Sequence, residues 1–110
     1  MIGNLPVVFG CATTSLSAEE KDFFEACRPA GFILFARNIE NADQVRRLVG
    51  ELKATRESGR TAILIDQEGG RVQRLGPPRW PAYPAMDSFG QMFEQSPAVA
   101  RAALRLNLAH

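Results

Sequence analysis

Short apolar runs alternate along the chain with segments of mixed polarity, and this alternation predicts the secondary structure. Leu5 to Phe9 is a mostly apolar run that ends at a glycine, and Gly31 to Ala36 is a continuous one. A third run, Thr61 to Ile65, is also apolar and ends at an aspartate. All three runs favour strands, and the continuous one favours a strand of a parallel sheet that is covered on both faces.

The first segment between these strands predicts a helix. Ser17 is followed three residues later by Glu20, a capping-box pattern that starts a helix from about Ala18 to Cys27. Pro29 and Gly31 are expected to end it. This helix and the strand before it form the first β/α unit.

The second such segment predicts another helix, which Asn41 caps. Its apolar positions recur at helical spacing and are Val45, Leu48, Val49 and Leu52. Lys53, Arg56 and Glu57 are expected to face water, and Ser58-Gly59 to end the helix. The order strand, helix, strand, helix, strand is typical of parallel α/β architecture.

Residues 66–85 interrupt this rhythm with a segment rich in glycine and proline. A long irregular loop in a compact domain is usually functional. Two further helices are predicted after it, from Met86 to Phe93 and from Ser96-Pro97 onward. Three parallel strands do not close a sheet or barrel, and so we expect an incomplete α/β fold.

Composition and charge narrow the class of protein. The 110 residues suffice for one small domain, with 45% hydrophobic residues, 23% charged residues and a net charge of +1. No basic run indicates nucleic-acid binding, and no apolar stretch indicates a membrane. The first apolar run lacks a preceding Lys or Arg, so we expect a cytoplasmic protein. Cys11 and Cys27 are more simply reduced thiols than a disulfide, and a metal site is less expected still.

The segment from Ile65 to Arg74 carries the candidate chemistry. Asp66 follows the third strand, at the end where parallel α/β folds bind ligands. Its carboxylate can accept hydrogen bonds from two sugar hydroxyls, although the same residue could simply cap the following turn. Gly69 and Gly70 allow close approach of the backbone, and the arginines that follow supply planar donors.

These residues resemble a known family. Residues 66–74, Asp-Gln-Glu-Gly-Gly-Arg-Val-Gln-Arg, match the hallmark of the glycoside hydrolase family 3 β-N-acetylglucosaminidases of bacterial cell-wall recycling. Residues 31–38 and 81–90 resemble further segments of that family. The resemblance implies that residues 1–110 are the N-terminal part of a TIM (β/α)8 barrel, comprising its first three β/α units.

The resemblance also implies a reaction and a set of roles. The family removes terminal β-linked N-acetylglucosamine by a retaining mechanism, with an aspartate nucleophile and a histidine acid/base that both lie beyond residue 110 in the family order. No catalytic residue, metal or cofactor is therefore assigned to this chain, and His110 matches no family motif. Asp66 and Arg74 are assigned to substrate binding, with a structural ion pair as the other role open to Arg74.

Several residues near the motif have weaker assignments. Glu68 and Arg71, with Gly69 and Gly70, are expected to support the site, the two charged residues holding the loop through salt bridges and backbone hydrogen bonds. Two further pairs are expected mainly to brace or pack rather than to touch sugar: Arg37 with Asn38, and Trp80 with Tyr83. Four phenylalanines are assigned to the core: Phe23, Phe24, Phe32 and Phe35.

The resemblance thus implies part of a β-N-acetylhexosaminidase that acts on muropeptide fragments. Its expected partner is a carbohydrate that contains N-acetylglucosamine. Two alternatives remain for the chain itself: a catalytically inactive sugar-binding module, or a partial barrel that self-associates. The second follows because an open three-stranded piece leaves strand edges and apolar faces exposed.

Overall fold

The computed structural model describes residues 5–56 and 60–110. These residues form two compact units, one ending at Asp66 and the other beginning at Gln67. Together they give a mixed α/β structure, as the sequence predicts.

The first unit contains a three-stranded parallel sheet, in the order β1, β2, β3. Its strands are β1 (Leu5–Phe9), β2 (Pro29–Leu34) and β3 (Ala62–Ile65). Helices α1 (Ala18–Cys27) and α2 (Ala42–Ala54) connect them, giving the predicted βαβαβ order. Gly31 lies beside β3 so closely that an added Cβ would be 2.6 Å from the Ala62 carbonyl oxygen.

Helix α1 begins as its capping box predicts. The Ser17 side chain accepts a hydrogen bond from the Glu20 backbone N–H, and the Glu20 carboxylate accepts one from the Ser17 N–H. The helix ends at Cys27, where Arg28 adopts a left-handed conformation with φ of 52°. Pro29 therefore starts the next strand instead of closing the helix.

Strand β2 is shifted toward the N-terminus from its predicted range, Gly31 to Ala36. It starts early because Pro29 pairs with Leu5 of β1. It ends at Leu34 because the Asn38 side-chain oxygen accepts the Phe35 backbone N–H at 2.9 Å, which turns the chain into a short 3-10 helix, Ala36–Asn38. A side-chain hydrogen bond therefore sets this boundary, and the pattern of apolar residues does not reveal such a bond.

Helix α2 begins at its predicted cap, since the Asn41 side chain accepts the Gln44 N–H. It ends at Ala54, where the Thr55 hydroxyl donates to the Leu52 carbonyl. The predicted stop at Ser58-Gly59 lies outside the described residues. Arg56 was expected to face water, but its side chain is buried and donates to the Pro29 carbonyl.

The core of the first unit lies between one face of the sheet and the two helices. Its buried members are Cys11, Leu16, Phe24, Phe32, Leu34, Leu48 and Leu52. The expectation that Phe23 is a core residue is wrong, since it is 52% exposed. One helix position turns a side chain by about 100°. Phe24 takes the inward direction, and Phe23 only flanks the core against the Phe9 ring.

The expectation that β2 is covered on both faces is only partly met, since Ile33 is only partly buried. Phe32 and Leu34 of β2 point into the core. Val8 of β1 and Leu64 of β3 alternate with core-facing neighbours and remain 46% and 43% exposed. The face of the sheet opposite the helices is thus apolar and partly open.

The second unit contains a small hairpin and two helices. Strands β4 (Gln67–Gly69) and β5 (Val72–Gln73) are antiparallel. Helices α3 (Met86–Gln95) and α4 (Pro97–Leu108) pack against each other, with Phe89 and Ala100 buried. The loop predicted over residues 66–85 is therefore not irregular throughout, because it contains this hairpin.

Candidate functional site

Asp66 lies where the sequence places it, directly after β3 at the carboxyl edge of the parallel sheet. The register pairs Leu34 with Ile65, so β2 and β3 end side by side. Asp66 is partly buried. A carboxylate at this edge can accept hydrogen bonds from neighbouring hydroxyl groups of a ligand.

The loop that follows β1, residues 10–17, borders the same edge and is held by Asn38. The Asn38 side-chain nitrogen donates to the carbonyl oxygens of Cys11 at 3.0 Å and Thr13 at 2.8 Å. Its side-chain oxygen accepts the Phe35 N–H. Asn38 is fully buried, so these bonds form in a setting where an unpaired polar group is costly. Asn38 therefore holds the loop after β1 in place.

Three more polar side chains reach this loop from α1 and α2. Gln44 is buried and donates to the Thr14 carbonyl oxygen at 2.8 Å. Glu51 accepts the Leu16 N–H at 2.8 Å. Glu20, besides its cap, accepts the Ala12 N–H at 2.8 Å. The loop is thus fixed by contacts that span up to 35 residues of sequence.

Arg37 also contacts this loop. Its Nε–H donates to the Cys11 carbonyl at 3.1 Å, and its guanidinium lies over the Phe35 ring, 4.8 Å from the ring centre. Gly10 leaves room for it, since an added Cβ there would be 3.1 Å from Nη2. The side chain is exposed, as befits a residue at the sheet edge. Arg37, like Asn38, thus helps to hold the loop after β1.

Cys11 is a buried free thiol, and Cys27 is free as well. The expectation of reduced thiols is confirmed. Burial raises the pKa of the Cys11 thiol above its ordinary value of 9.0, and the Glu20 carboxylate adds to the rise, while Arg37 opposes it. The thiol therefore stays protonated at neutral pH and serves to fill the core.

In the second unit, the motif forms the hairpin of β4 and β5. Gly69 and Gly70 have φ of +83° and +60°, in the region that favours glycine. A Cβ on Gly69 would lie 2.1 Å from the Pro84 carbonyl oxygen. The double glycine therefore serves packing of the hairpin against residues 83–85 as well as any approach of a ligand.

Two glutamines hold the rest of this segment. Gln67 exchanges two hydrogen bonds with the backbone of Leu75, at 2.9 and 3.0 Å. Gln73 accepts the Tyr83 N–H at 2.9 Å and donates to the carbonyls of Leu75 and Pro81. Both glutamines belong to the motif, and their role in holding the loop was not predicted from their residue type.

The charged residues of the motif differ in how far they are buried. Glu68 and Arg71 are exposed, and within residues 5–56 and 60–110 neither forms a salt bridge, so that part of the expectation is wrong. The loop depends on glutamines and backbone bonds instead, because these reach the interior of the segment. Arg74 follows β5 and is partly buried.

Trp80 and Tyr83 are both half-buried and line an open cavity of about 420 Å³ within the second unit. Glu68 and His110 line it too. Aromatic side chains expose flat apolar faces, on which the C–H groups of a sugar ring can stack. Both rings are half-buried, in agreement with the expectation that they pack within the loop. The part of each ring that lines the cavity remains accessible.

Comparison with known proteins finds relatives of this chain among bacterial β-hexosaminidases. A curated β-hexosaminidase from Xanthomonas oryzae pv. oryzae is 38% identical over 99 residues, which is 90% of this chain and 29% of the relative. A second, from Bordetella avium, is 37% identical over 95 residues, covering 86% of this chain and 27% of the relative. The chain is a homologue of bacterial β-hexosaminidases. No protein-family model matches it.

Solved structures agree with this relationship to β-hexosaminidases. NagZ from Neisseria gonorrhoeae in complex with zinc ion matches with a TM-score of 0.83 and 36% identity, over 93% of this chain and 30% of that one. The same protein in complex with N-trifluoroacetyl-D-glucosamine matches with a TM-score of 0.82 and 36% identity. The chain thus spans about three tenths of the length of the relatives it matches, in their N-terminal part.

Two further findings concern other classes of protein. No helix in the described part of the chain is long and apolar enough to cross a membrane. Among residues 5–56 and 60–110, no three His, Cys, Asp or Glu side chains are grouped so that they could hold a metal ion.

Proposed function

We propose that this chain is the N-terminal part of a family 3 β-N-acetylhexosaminidase barrel and carries part of its N-acetylglucosamine site. The observation that carries the proposal is the placement of Asp66. It directly follows β3 at the carboxyl edge of the sheet, the edge at which parallel α/β folds bind ligands, in a chain 38% identical to a β-hexosaminidase over 90% of its length. The proposed substrates are muropeptide-type fragments with a terminal β-linked N-acetylglucosamine, and the proposed location is the cytoplasm.

In this proposal the chain binds the sugar, and residues outside the chain break the glycosidic bond. Asp66 accepts hydrogen bonds from the hydroxyls of N-acetylglucosamine, and Arg74 donates to the same sugar. Glu68, Gly69, Gly70 and Arg71 support the site by forming the hairpin from which Arg74 follows. A retaining hydrolase needs a nucleophile and an acid/base in addition, and the proposal places both outside these 110 residues.

The NagZ complex with N-trifluoroacetyl-D-glucosamine supports the substrate class. That protein binds a glucosamine derivative acylated on nitrogen, and it shares 36% identity with this chain. Asp66 supplies acceptors for hydroxyl groups, and Arg74 supplies donors. The pair therefore fits a neutral sugar rich in hydroxyl and amide groups.

Hydrolysis of a fluorogenic aryl β-N-acetylglucosaminide tests the proposed division of roles. The purified 110-residue chain is assayed beside its Asp66→Ala variant, with the Neisseria gonorrhoeae NagZ as the positive control. We expect no turnover above the variant, because the reacting groups are absent. Turnover by the chain that disappears in Asp66→Ala would contradict the proposal, since catalytic groups would then lie within these residues.

A second candidate function is self-association through the sheet. Val8 and Leu64 leave apolar surface on its open face, and β1 and β3 are both edge strands. Exposed edges and apolar faces favour association between copies. Analytical ultracentrifugation of the chain and of its Val8→Lys variant tests this association. A dimer that the substitution dissociates would support association through this face. A monomer at all concentrations would exclude it.

A further inference from the structure

The single tryptophan of the chain, Trp80, and its single tyrosine, Tyr83, line the same cavity in the second unit. This open cavity has a volume of about 420 Å³, and its walls include the apolar side chains of Leu75 and Met86. Binding sites for small molecules commonly have volumes of roughly 300–1,000 Å³ and combine apolar walls with a few polar groups. The cavity therefore has the size and the apolar surface of a small-ligand site.

The backbone around both rings is held by hydrogen bonds within the second unit. The Tyr83 N–H donates to the side-chain oxygen of Gln73 at 2.9 Å, and the Tyr83 carbonyl accepts the Gly70 N–H at 2.9 Å. The carbonyl of Pro81, the residue after Trp80, accepts from the Gln73 side chain at 2.6 Å. Because folding already orders this segment, a ligand that contacts the rings loses less affinity to ordering of the loop.

The two aromatic side chains keep their polar groups available for a ligand. Among the residues that the structure describes, neither ring contacts another aromatic ring, and neither the Trp80 indole N–H nor the Tyr83 hydroxyl forms a hydrogen bond. Such groups usually find a hydrogen-bond partner when their side chains are buried. Here both side chains are half-buried, so each combines accessible ring surface with a polar group that is not used by the fold.

Two polar side chains complete the lining of the cavity. Glu68 is exposed and Asn107 is half-buried, and in the described part of the chain neither side chain forms a hydrogen bond or a salt bridge. A carboxylate accepts hydrogen bonds, whereas a carboxamide both donates and accepts them. Sugar hydroxyls also donate and accept, so this pair fits a neutral ligand with several hydroxyl groups. The negative charge of Glu68 disfavours phosphates and other anions.

We propose that this cavity binds one pyranose ring, which stacks on Trp80 and Tyr83. Glu68 and Asn107 bind its hydroxyl groups. The inference goes beyond the proposed function, because it adds a sugar-binding surface in the second unit that does not use Asp66. A pyranose ring presents a flat face of C–H groups for stacking, and its hydroxyls use both polar side chains. An organic cation would use the rings and the carboxylate but would leave the carboxamide without a role.

Tryptophan fluorescence of the 110-residue chain tests the inference directly, because Trp80 is the only tryptophan. Methyl β-D-glucopyranoside is the probe. Sorbitol serves as a polyol without a ring, and choline serves as an organic cation. We expect the glucoside to shift the Trp80 emission in a saturable manner, with a Kd on the order of 1 mM for a ligand of this size. Sorbitol and choline should leave the emission unchanged, and an equal response to either of them would overturn the inference.

Variants assign the binding to the cavity. Tyr83→Ala should weaken binding of the glucoside about tenfold, whereas Tyr83→Phe, which keeps the ring, should bind within about twofold of the wild type. Asn107→Ala places a good helix former in α4, so it keeps the fold, and it should weaken binding about fivefold. Phe93→Ala is the matched control, since it removes an exposed aromatic side chain of α3 that does not line the cavity. Wild-type affinity in both Tyr83→Ala and Asn107→Ala would overturn the inference.

The outcomes separate this inference from the proposed function. The Trp80 shift should persist in Asp66→Ala, and its loss in that folded variant would overturn the inference. Absence of a Trp80 shift, beside NMR shifts around Asp66 on titration with N-acetylglucosamine, would overturn the inference and leave the proposed sugar site standing. A saturable Trp80 shift without any shifts around Asp66 would support the inference and overturn the proposed function.

Discussion

The loop after β1 and the loop after β3 are held in opposite ways. The first, residues 10–17, is fixed by side chains that come from distant elements, with Asn38 and Gln44 reaching it across 25 to 30 residues. The second, residues 67–85, is fixed by Gln67 and Gln73, whose bonds span at most ten residues. One loop is part of the core of its unit, and the other folds largely on itself.

This difference determines how easily each of the two loops can move. A loop tied into a core keeps its shape as long as the whole unit is folded. A loop closed by local contacts can open without unfolding the rest of the chain. We therefore expect the loop after β1 to be rigid and the motif hairpin to be more easily opened.

The largest expected effect is at Asn38. Asn38→Ala removes two donors and one acceptor from a fully buried position and leaves the carbonyls of Cys11 and Thr13 without those donors. We expect a loss of about 3 kcal/mol in the free energy of unfolding, measured by urea titration. Asn41→Ala, which removes only a helix cap, should cost about 1 kcal/mol. Equal losses in the two variants would contradict the expectation that Asn38 contributes more to stability than a helix cap does.

A smaller loss is expected at Gly69, confined to the second unit. Gly69→Ala places a Cβ 2.1 Å from the Pro84 carbonyl oxygen at a φ of +83°, so the hairpin must shift at a cost of about 2 kcal/mol. Hydrogen exchange should show faster exchange in residues 67–85 and little change in residues 5–56. The control is Gly90→Ala in α3, where nothing lies within 4 Å and helix propensity should improve. Faster exchange throughout the first unit would show that the two loops are not independent.

The two glutamines give the most direct contrast between the loops. Gln44→Ala removes bonds to the Thr14 and Asn38 carbonyls at a buried position, and we expect a loss of about 1.5 kcal/mol in global stability. Gln73→Ala removes three bonds at a half-exposed one. It should leave the urea midpoint nearly unchanged and speed proteolysis of residues 67–85. A larger loss in the free energy of unfolding for Gln73→Ala than for Gln44→Ala would contradict the view that only the loop after β1 is tied to the core.

The smallest effect is a pH dependence that arises from Cys11. Because burial raises the pKa of its thiol, the unfolded chain loses this proton first as the pH rises. Stability from this group is full below the ordinary pKa of 9.0 and falls as the pH rises from there toward the folded pKa. Unfolding midpoints between about pH 7 and pH 10 should fall less in Cys11→Ala than in the wild type. Identical slopes would show that Cys11 does not contribute.

The sequence predicted the elements whose signals are local. The Ser17 and Glu20 capping box is such a signal, because its hydrogen bonds span three residues. The position of Asp66 was also predictable, since it depends only on where β3 ends. Both follow from residue type and spacing.

The parts that were not predicted depend on which side-chain contacts form, and residue type and spacing do not reveal these. Asn38 ends β2 early by accepting the Phe35 N–H, and no apolar pattern reports such a bond. The structural role of Gln73 was hidden because an exposed loop glutamine and an anchoring one look alike in sequence. Phe23 was misplaced because two adjacent phenylalanines in a helix cannot both face the core, and sequence alone did not say which one would.

The central claim is that Asp66 belongs to an N-acetylglucosamine site that this chain carries in part. Titration of the chain with N-acetylglucosamine, followed by ¹H–¹⁵N NMR, tests it most directly. Asp22→Ala serves as the matched control, since Asp22 is an exposed aspartate of α1. The account predicts saturable shifts around Asp66 that Asp22→Ala retains and Asp66→Ala loses. Shifts that persist unchanged in Asp66→Ala, or no binding by the folded chain, would contradict it.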